Sequence, residues 1–214
     1  MLDLLLPRRC VVCAAGGTFL CDGCRRALPF LTPPLCALCG APTAWPVARC
    51  RECSGRRLGF VHASAAVAYD ADVRRLVRSW KERGLRSLAD AAALAVVERL
   101  PRPDADAVTF VPADRGRRRR RGYHPAEQLA RGLSDRWGLP CVPLLSRSGG
   151  TRQQGLSRGD RRRNVAHAFA VRATAPPRVV LVDDVYTTGE TAHAAASALR
   201  TRVEVVTFAR AVRT

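Results

Sequence analysis

Val179-Val180-Leu181-Val182-Asp183-Asp184-Val185-Tyr186-Thr187-Thr188-Gly189-Glu190-Thr191 is the stretch on which the reading of this chain turns. The apolar run predicts a strand over 178–182, buried on both faces. Two acids close it. A Thr/Gly turn follows and runs into an alanine-rich helix expected over 191–199. At such a turn backbone N–H groups point outward, and the helix dipole adds partial positive charge. The hydroxyls of Thr187, Thr188 and Thr191 add donors. Gly189 keeps side-chain bulk away from an approaching anion. Residues 187–191, Glu190 included, therefore suit a monophosphate. Asp183 and Asp184 can accept hydrogen bonds from vicinal sugar hydroxyls, as an acid does for ribose in dinucleotide folds. One loop would read phosphate and ribose together.

Outward from this loop the pattern alternates. Strands are expected at 61–69, 107–111, 142–145, 165–171 and 203–208. Val73, Leu76, Val77 and Trp80 recur at helical spacing. A second helix is expected from Ser87 to Leu100, ended by Pro101 and Pro103. Ala126, Leu129, Ala130, Leu133 and Trp137 mark a third, with Gly138 as its stop. Residues 146–163, rich in Arg, Gly, Ser and Gln, read as a mobile loop. Strands alternating with helices predict an α/β domain with a mainly parallel sheet and flanking helices, over residues 59–214. Cys141, alone in this part, reads as a small apolar residue.

Upstream the composition changes. Residues 1–58 hold eight of the nine cysteines, six prolines and no histidine. The cysteines form four CxxC pairs: Cys10/Cys13, Cys21/Cys24, Cys36/Cys39 and Cys50/Cys53. Each CxxC turn places two thiolates on one side of a tight knuckle, and two knuckles complete a tetrahedral zinc shell. Four knuckles suit two structural zinc ions. Sequential pairing is the simplest: Cys10, Cys13, Cys21 and Cys24 on one ion, and Cys36, Cys39, Cys50 and Cys53 on the other. Interleaved pairing, or loss of one site, is the alternative. Full thiolate shells leave no open position, so no catalysis is expected there. Disulfides fit poorly with the expected reducing cytoplasm, and iron–sulfur ligation lacks its clustered spacing.

The net charge is +18, carried by 36 basic residues of which only Lys81 is a lysine. Such a charge points to a polyanionic partner, although an arginine bias also arises from base composition. The densest run is Arg115, Arg117, Arg118, Arg119, Arg120 and Arg121. A second cluster holds Arg152, Arg158, Arg161, Arg162 and Arg163. Both suit a nucleic-acid backbone, with solvated loops of an arginine-biased chain as the alternative. Candidates for base stacking are few: Trp45, Phe60, Tyr123 and Tyr186. No GxxxxGK[ST] loop occurs, and Lys81 is followed by Glu82, which argues against a nucleotide-driven motor. No apolar run reaches the roughly 18 residues of a membrane span. The start, Leu2 to Leu6, is too short for a signal-peptide core.

The segment from Val179 to Thr191 resembles the phosphoribosyl diphosphate signature of type I phosphoribosyltransferases. The four knuckles narrow the resemblance, together with Val111-Pro112, the Arg115–Arg121 run, Gly122-Tyr123 and Ala126-Glu127-Gln128-Leu129-Ala130. So do Arg152-Gln153-Gln154-x-Leu156, Arg161 to Arg163, Asn164 and Ala168-Phe169. Nearly the whole chain resembles the ComF family, linked to natural competence; His124-Pro125 stands where the family pattern has Asn-Gln. The resemblance implies a type I phosphoribosyltransferase-like fold behind a double zinc ribbon. It implies phosphoribosyl diphosphate at Asp183, Asp184 and residues 187–191, with Mg²⁺ between diphosphate oxygens and water, and pentosyl transfer in which Asp183 or Asp184 stabilises developing positive charge. The first arginine run would flank the diphosphate, and the second would lie on a closing loop. Single-stranded DNA and a competence helicase or other DNA-processing protein are the implied partners. A non-catalytic nucleic-acid-binding or regulatory module that keeps the site is the alternative, as is a nucleobase-salvage phosphoribosyltransferase. No base-recognition motif identifies the acceptor.

Overall fold

The structure, a computed structural model, describes residues 8–113, 122–147 and 168–212. Its centre is a four-stranded parallel sheet. The strands lie in the order β1 (His62–Ala68), β6 (Arg202–Arg210), β5 (Arg178–Tyr186), β2 (Ala107–Phe110). An antiparallel pair, β3 (Leu145–Arg147) with β4 (Phe169–Val171), stands apart. The described helices are α1 (Asp22–Arg26), α2 (Ala71–Arg83), α3 (Ser87–Val97), α4 (Pro125–Trp137) and α5 (Glu190–Leu199). The expected α/β architecture is therefore present.

Local chemistry sets the helix ends. The Asp70 side chain caps α2 by accepting from the Val73 N–H at 2.8 Å, and Gly84 ends it in the left-handed region. His124 caps α4, Pro125 takes the first turn, and Gly138 stops it.

Two strands depart from the expectation. The strand expected over 142–145 begins only at Leu145. Before it the chain runs along β2, where the Val142 N–H donates to the Val108 carbonyl at 2.8 Å. β5 does not stop at Val182. It continues through both acids to Tyr186, because β6 pairs with it to the end: Asp183 opposite Thr207, Val185 opposite Ala209, Tyr186 opposite Arg210. Ladder hydrogen bonds outweigh the low strand preference of two aspartates. Ser146 and Arg147, expected in the mobile loop, belong to β3. The rest of that loop and residues 165–167 of the expected strand lie outside the described residues.

The sheet carries a core on each face. Val180 and Val182 pack with Leu76, Trp80, Leu88, Leu129 and Phe208 beneath α2, α3 and α4. Leu181 points the other way, with Val205, Ala195 and Leu199 beneath α5. The two cysteine shells divide between these faces. Cys10, Leu20 and Leu28 join the first core, whereas Cys36, Cys39 and Cys53 join the second. The segment between the shells lies along the outer edge of β1. There the Leu31 N–H donates to Ala66 at 2.9 Å and the Ala68 N–H donates to Pro29 at 2.8 Å. An edge that would otherwise offer free backbone groups is covered. Composition changes at residues 57–59, but packing continues across them.

Candidate functional site

At the carboxyl ends of the parallel strands lies a cleft of about 360 Å³, lined by Lys81, His124, Arg147, Asp183, Asp184, Thr187 and Thr191 among others. This is where ligands of α/β sheets bind. Asp183 lines the cleft and accepts from the Asp184 N–H at 2.9 Å. Burial, and then the charge of Asp184, push its carboxyl up to about 7, against the pull of Lys81 and Arg147. Asp184 is paired with the Lys81 ammonium at 2.7 Å, with side chains 13% and 27% exposed. The one lysine in a chain of arginines thus lies in the cleft. Its scarcity was the single sequence signal for it.

The loop from Thr187 to Thr191 turns directly from β5 into α5. Thr187 and Thr188 are exposed, and Gly189 is buried at φ 75° as the N-cap of α5. Among the described residues no side-chain hydrogen bond caps this helix at Gly189, and a helix start of this kind suits the oxygens of an anionic ligand. A Cβ at Gly189 would stand 2.2 Å from the Tyr186 hydroxyl, so only glycine fits. Tyr186 is itself fixed. Phe60 meets it edge-on at 6.4 Å, and the Arg210 guanidinium stacks 4.5 Å from its ring centre. The structure thereby brings Asp183, Asp184, Thr187 and Thr191 to one cleft, with Gly189 and Glu190 at the adjoining helix start.

Sequence reasoning missed two arginines beside this loop. Arg56 donates to the Thr188 carbonyl at 2.8 Å and to Glu190 at 2.9 Å. Arg210, only 1% exposed, donates to the Cys39 carbonyl and to Glu52 at 2.7 Å, and faces the Cys39 sulfur at 3.6 Å. No sequence pattern announces such contacts, since they join positions more than a hundred residues apart. Arg115, Arg117, Arg118, Arg119, Arg120, Arg121, Arg152, Arg158, Arg161, Arg162 and Arg163 lie outside the described residues. Of the stacking candidates, Phe60 and Tyr186 are buried, Tyr123 is partly covered by Arg86, and Trp45 is 68% exposed.

The eight N-terminal cysteines form two shells, Cys10, Cys13, Cys21 and Cys24, and Cys36, Cys39, Cys50 and Cys53, each with its sulfurs within 4.8 Å of one another. This is the sequential pairing. None of them is paired in a disulfide. A tetrahedron with Zn–S near 2.3 Å has sulfur–sulfur edges of about 3.8 Å. The sulfurs here stand 3.7 Å apart for Cys13 and Cys21, 3.6 Å for Cys36 and Cys53, and 3.5 Å for Cys39 and Cys50. The donor sets therefore fit zinc without rearrangement. Native mass spectrometry of protein made in a reducing cytoplasm is expected to find about two zinc ions per chain, given four thiolates per ion. Metal-free protein with paired thiols would contradict this.

Comparison with known proteins agrees with this geometry. Residues 1–54 match the double zinc ribbon domain. Competence protein F of Haemophilus influenzae is 30% identical over 213 aligned positions, which span 90% of this chain and 90% of that protein. With both shells formed and the likeness extending over the α/β part, the chain belongs to the ComF family.

Proposed function

We propose that this protein binds phosphoribosyl diphosphate with Mg²⁺ in the cleft at the end of β5, and that this binding serves the handling of single-stranded DNA during DNA uptake. The observation that supports the ligand is the junction itself. Two carboxylates at a strand end lead into a left-handed glycine and a helix start with no side-chain cap among the described residues. Ribose hydroxyls donate to Asp183 and Asp184, and the 5′-phosphate accepts from the N–H and hydroxyl groups of residues 187–191. Mg²⁺, which favours phosphate oxygens and water, supplies charge neutralisation for the diphosphate. In a transfer, the bond from C1 to diphosphate breaks, the acceptor bonds to C1, and a nearby carboxylate stabilises the positive charge between these events.

A second, non-catalytic reading has its own support. Lys81 neutralises Asp184, and Asp183 holds its proton up to about pH 7. At neutral pH Asp183 then keeps its proton in about half of the molecules while Asp184 is paired, which suits a sensor of the ligand better than a transferase. The DNA half of the proposal rests on the competence relative and on a net charge of +18. It extends to a helicase or other DNA-processing partner acting in the cytoplasm. Among the described residues no helix is long and apolar enough to cross a membrane.

Calorimetric titration of the zinc-loaded chain with phosphoribosyl diphosphate tests the proposal, with and without Mg²⁺ and with and without a single-stranded oligonucleotide. Saturable heat that requires Mg²⁺ is expected, together with DNA affinity that falls steeply with salt. No heat with Mg²⁺ present would remove the ligand. No DNA affinity, or affinity indifferent to salt, would remove the DNA. Diphosphate release on addition of an acceptor separates transferase from sensor.

A further inference from the structure

The second cysteine shell is wired to the phosphate loop through the side chain of Arg56. Arg56 follows the buried ligand Cys53 by three residues, and the knuckle turn holds its backbone, with the Arg56 N–H donating to the Cys53 carbonyl at 3.2 Å. Its guanidinium spans both sides of the junction. One terminal nitrogen donates to the Glu52 carbonyl at 3.3 Å and to the Thr188 carbonyl at 2.8 Å, and the other pairs with Glu190 at 2.9 Å. Arg210 makes a second bridge, from the Cys39 carbonyl and Glu52 to the Tyr186 ring on which Gly189 rests. The first shell reaches elsewhere. The Val12 carbonyl accepts from Arg75 of α2 at 3.1 Å, and Arg25 of α1 pairs with Glu98 after α3.

Two consequences follow from peptide geometry and charge. In a planar trans peptide the C=O and the next N–H point in opposite directions. Holding the Thr188 carbonyl toward the ribbon therefore turns the Gly189 N–H away from it. Pairing Glu190 also neutralises a carboxylate that sits at the helix start and would repel an incoming phosphate. Arg56 thus does two things a phosphate-binding loop needs, from a position fixed by a metal shell.

We propose that Arg56 is a positioning residue for the loop, through which the metal-loaded shell of Cys36, Cys39, Cys50 and Cys53 sets the loop's affinity for a sugar 5-phosphate. The proposal rests on the phosphoribosyl reading given above. Coupling of this kind is reciprocal. A ligand that binds better when the shell is loaded must raise the zinc affinity of that shell by the same factor.

The test uses the full, zinc-loaded chain and two probes, phosphoribosyl diphosphate with Mg²⁺ and ribose 5-phosphate. Calorimetry on Arg56→Met is expected to show about tenfold weaker binding, since the charge-assisted bonds that hold Thr188 and Glu190 are both lost. Arg56→Lys keeps the charge but cannot span Thr188 and Glu190 together, so it recovers only part of the loss. Competition for zinc by a chromogenic chelator supplies the readout that a merely structural role would not move. In wild type the probes are expected to protect one of the two zinc equivalents, and in Arg56→Met neither. Equal ligand affinity in wild type and a folded Arg56→Met overturns the inference, as does absence of zinc protection in wild type that binds the probes. The second measurement stands even if the variants fail to fold. No binding by wild type overturns the phosphoribosyl reading and the inference together.

Discussion

Asp183→Asn is expected to raise the melting temperature at pH 8 and to weaken phosphoribosyl diphosphate binding by about ten- to a hundredfold, since hydrogen bonds to charged groups contribute about 1.5–3 kcal/mol. The two effects share one cause. The Asp183 carboxyl ordinarily titrates near 3.8, and in the folded chain burial, with Asp184 beside it, pushes this up to about 7. Between these values the folded chain holds a proton that the unfolded chain releases. Stability is then at its fullest below the unfolded value, declines as pH rises through the folded value, and levels off above it. Wild type without ligand should melt progressively lower from pH 5 to pH 8. Asparagine keeps the acceptor for the Asp184 N–H but carries no charge to bury, so this decline should disappear from the variant. Binding needs that same charge, because ribose hydroxyls donate less strongly to an amide than to a carboxylate. Melting curves of both proteins at four pH values, with calorimetry at pH 8, check both halves. Parallel pH dependence, or undiminished binding, would be the contrary result.

The second large effect is expected at Arg210. Arg210→Met should destabilise the fold by about 3 kcal/mol, in the range for breaking a buried ion pair. The guanidinium is almost wholly enclosed and serves Glu52, the Cys39 carbonyl and the Tyr186 ring at once, while its Nε has no acceptor among the described residues. Methionine fills similar space but leaves Glu52 and the Cys39 carbonyl unanswered. It also removes a cation beside a shell that carries net negative charge when four thiolates hold one zinc ion. Denaturant midpoints at fixed free zinc, with zinc content of the folded fraction, measure the loss. A midpoint equal to wild type would show that the pair contributes no net stability.

The fold was legible wherever the pattern was local. The run from Val179 to Val182, the spacing of Leu129, Leu133 and Trp137, and the four CxxC knuckles each fix geometry over a few residues. Knuckle spacing made sequential pairing of the cysteines the simplest choice, and the folded positions of the sulfurs select it over interleaved pairing. The end of β5 was not legible, because Asp183 and Asp184 look like a terminus until the register with β6 carries the ladder past them. The loop residues of the candidate site were readable for the same reason as its strand. Its supports were not. Lys81, Arg56 and Arg210 reach the site from distant parts of the chain, and arginines are too common here for any one to stand out. Lys81 alone left a trace, as the exception to that bias.

The edge contacts of β1 and the position of Arg210 bear on the order in which the molecule is made. The knuckles leave the ribosome before the α/β part, and sequential shells can take up metal as soon as each has emerged. Their burial waits for partners still to be synthesised. Cys39 meets Arg210 across a separation of 171 residues, and Arg56 meets Glu190 across 134. Closing such distances early carries a large loop entropy, so these contacts form late in folding. A nascent chain would carry metal-bound knuckles with exposed apolar flanks until β6 pairs with β1. Zinc present during synthesis is then expected to give more correctly closed protein than zinc added afterwards.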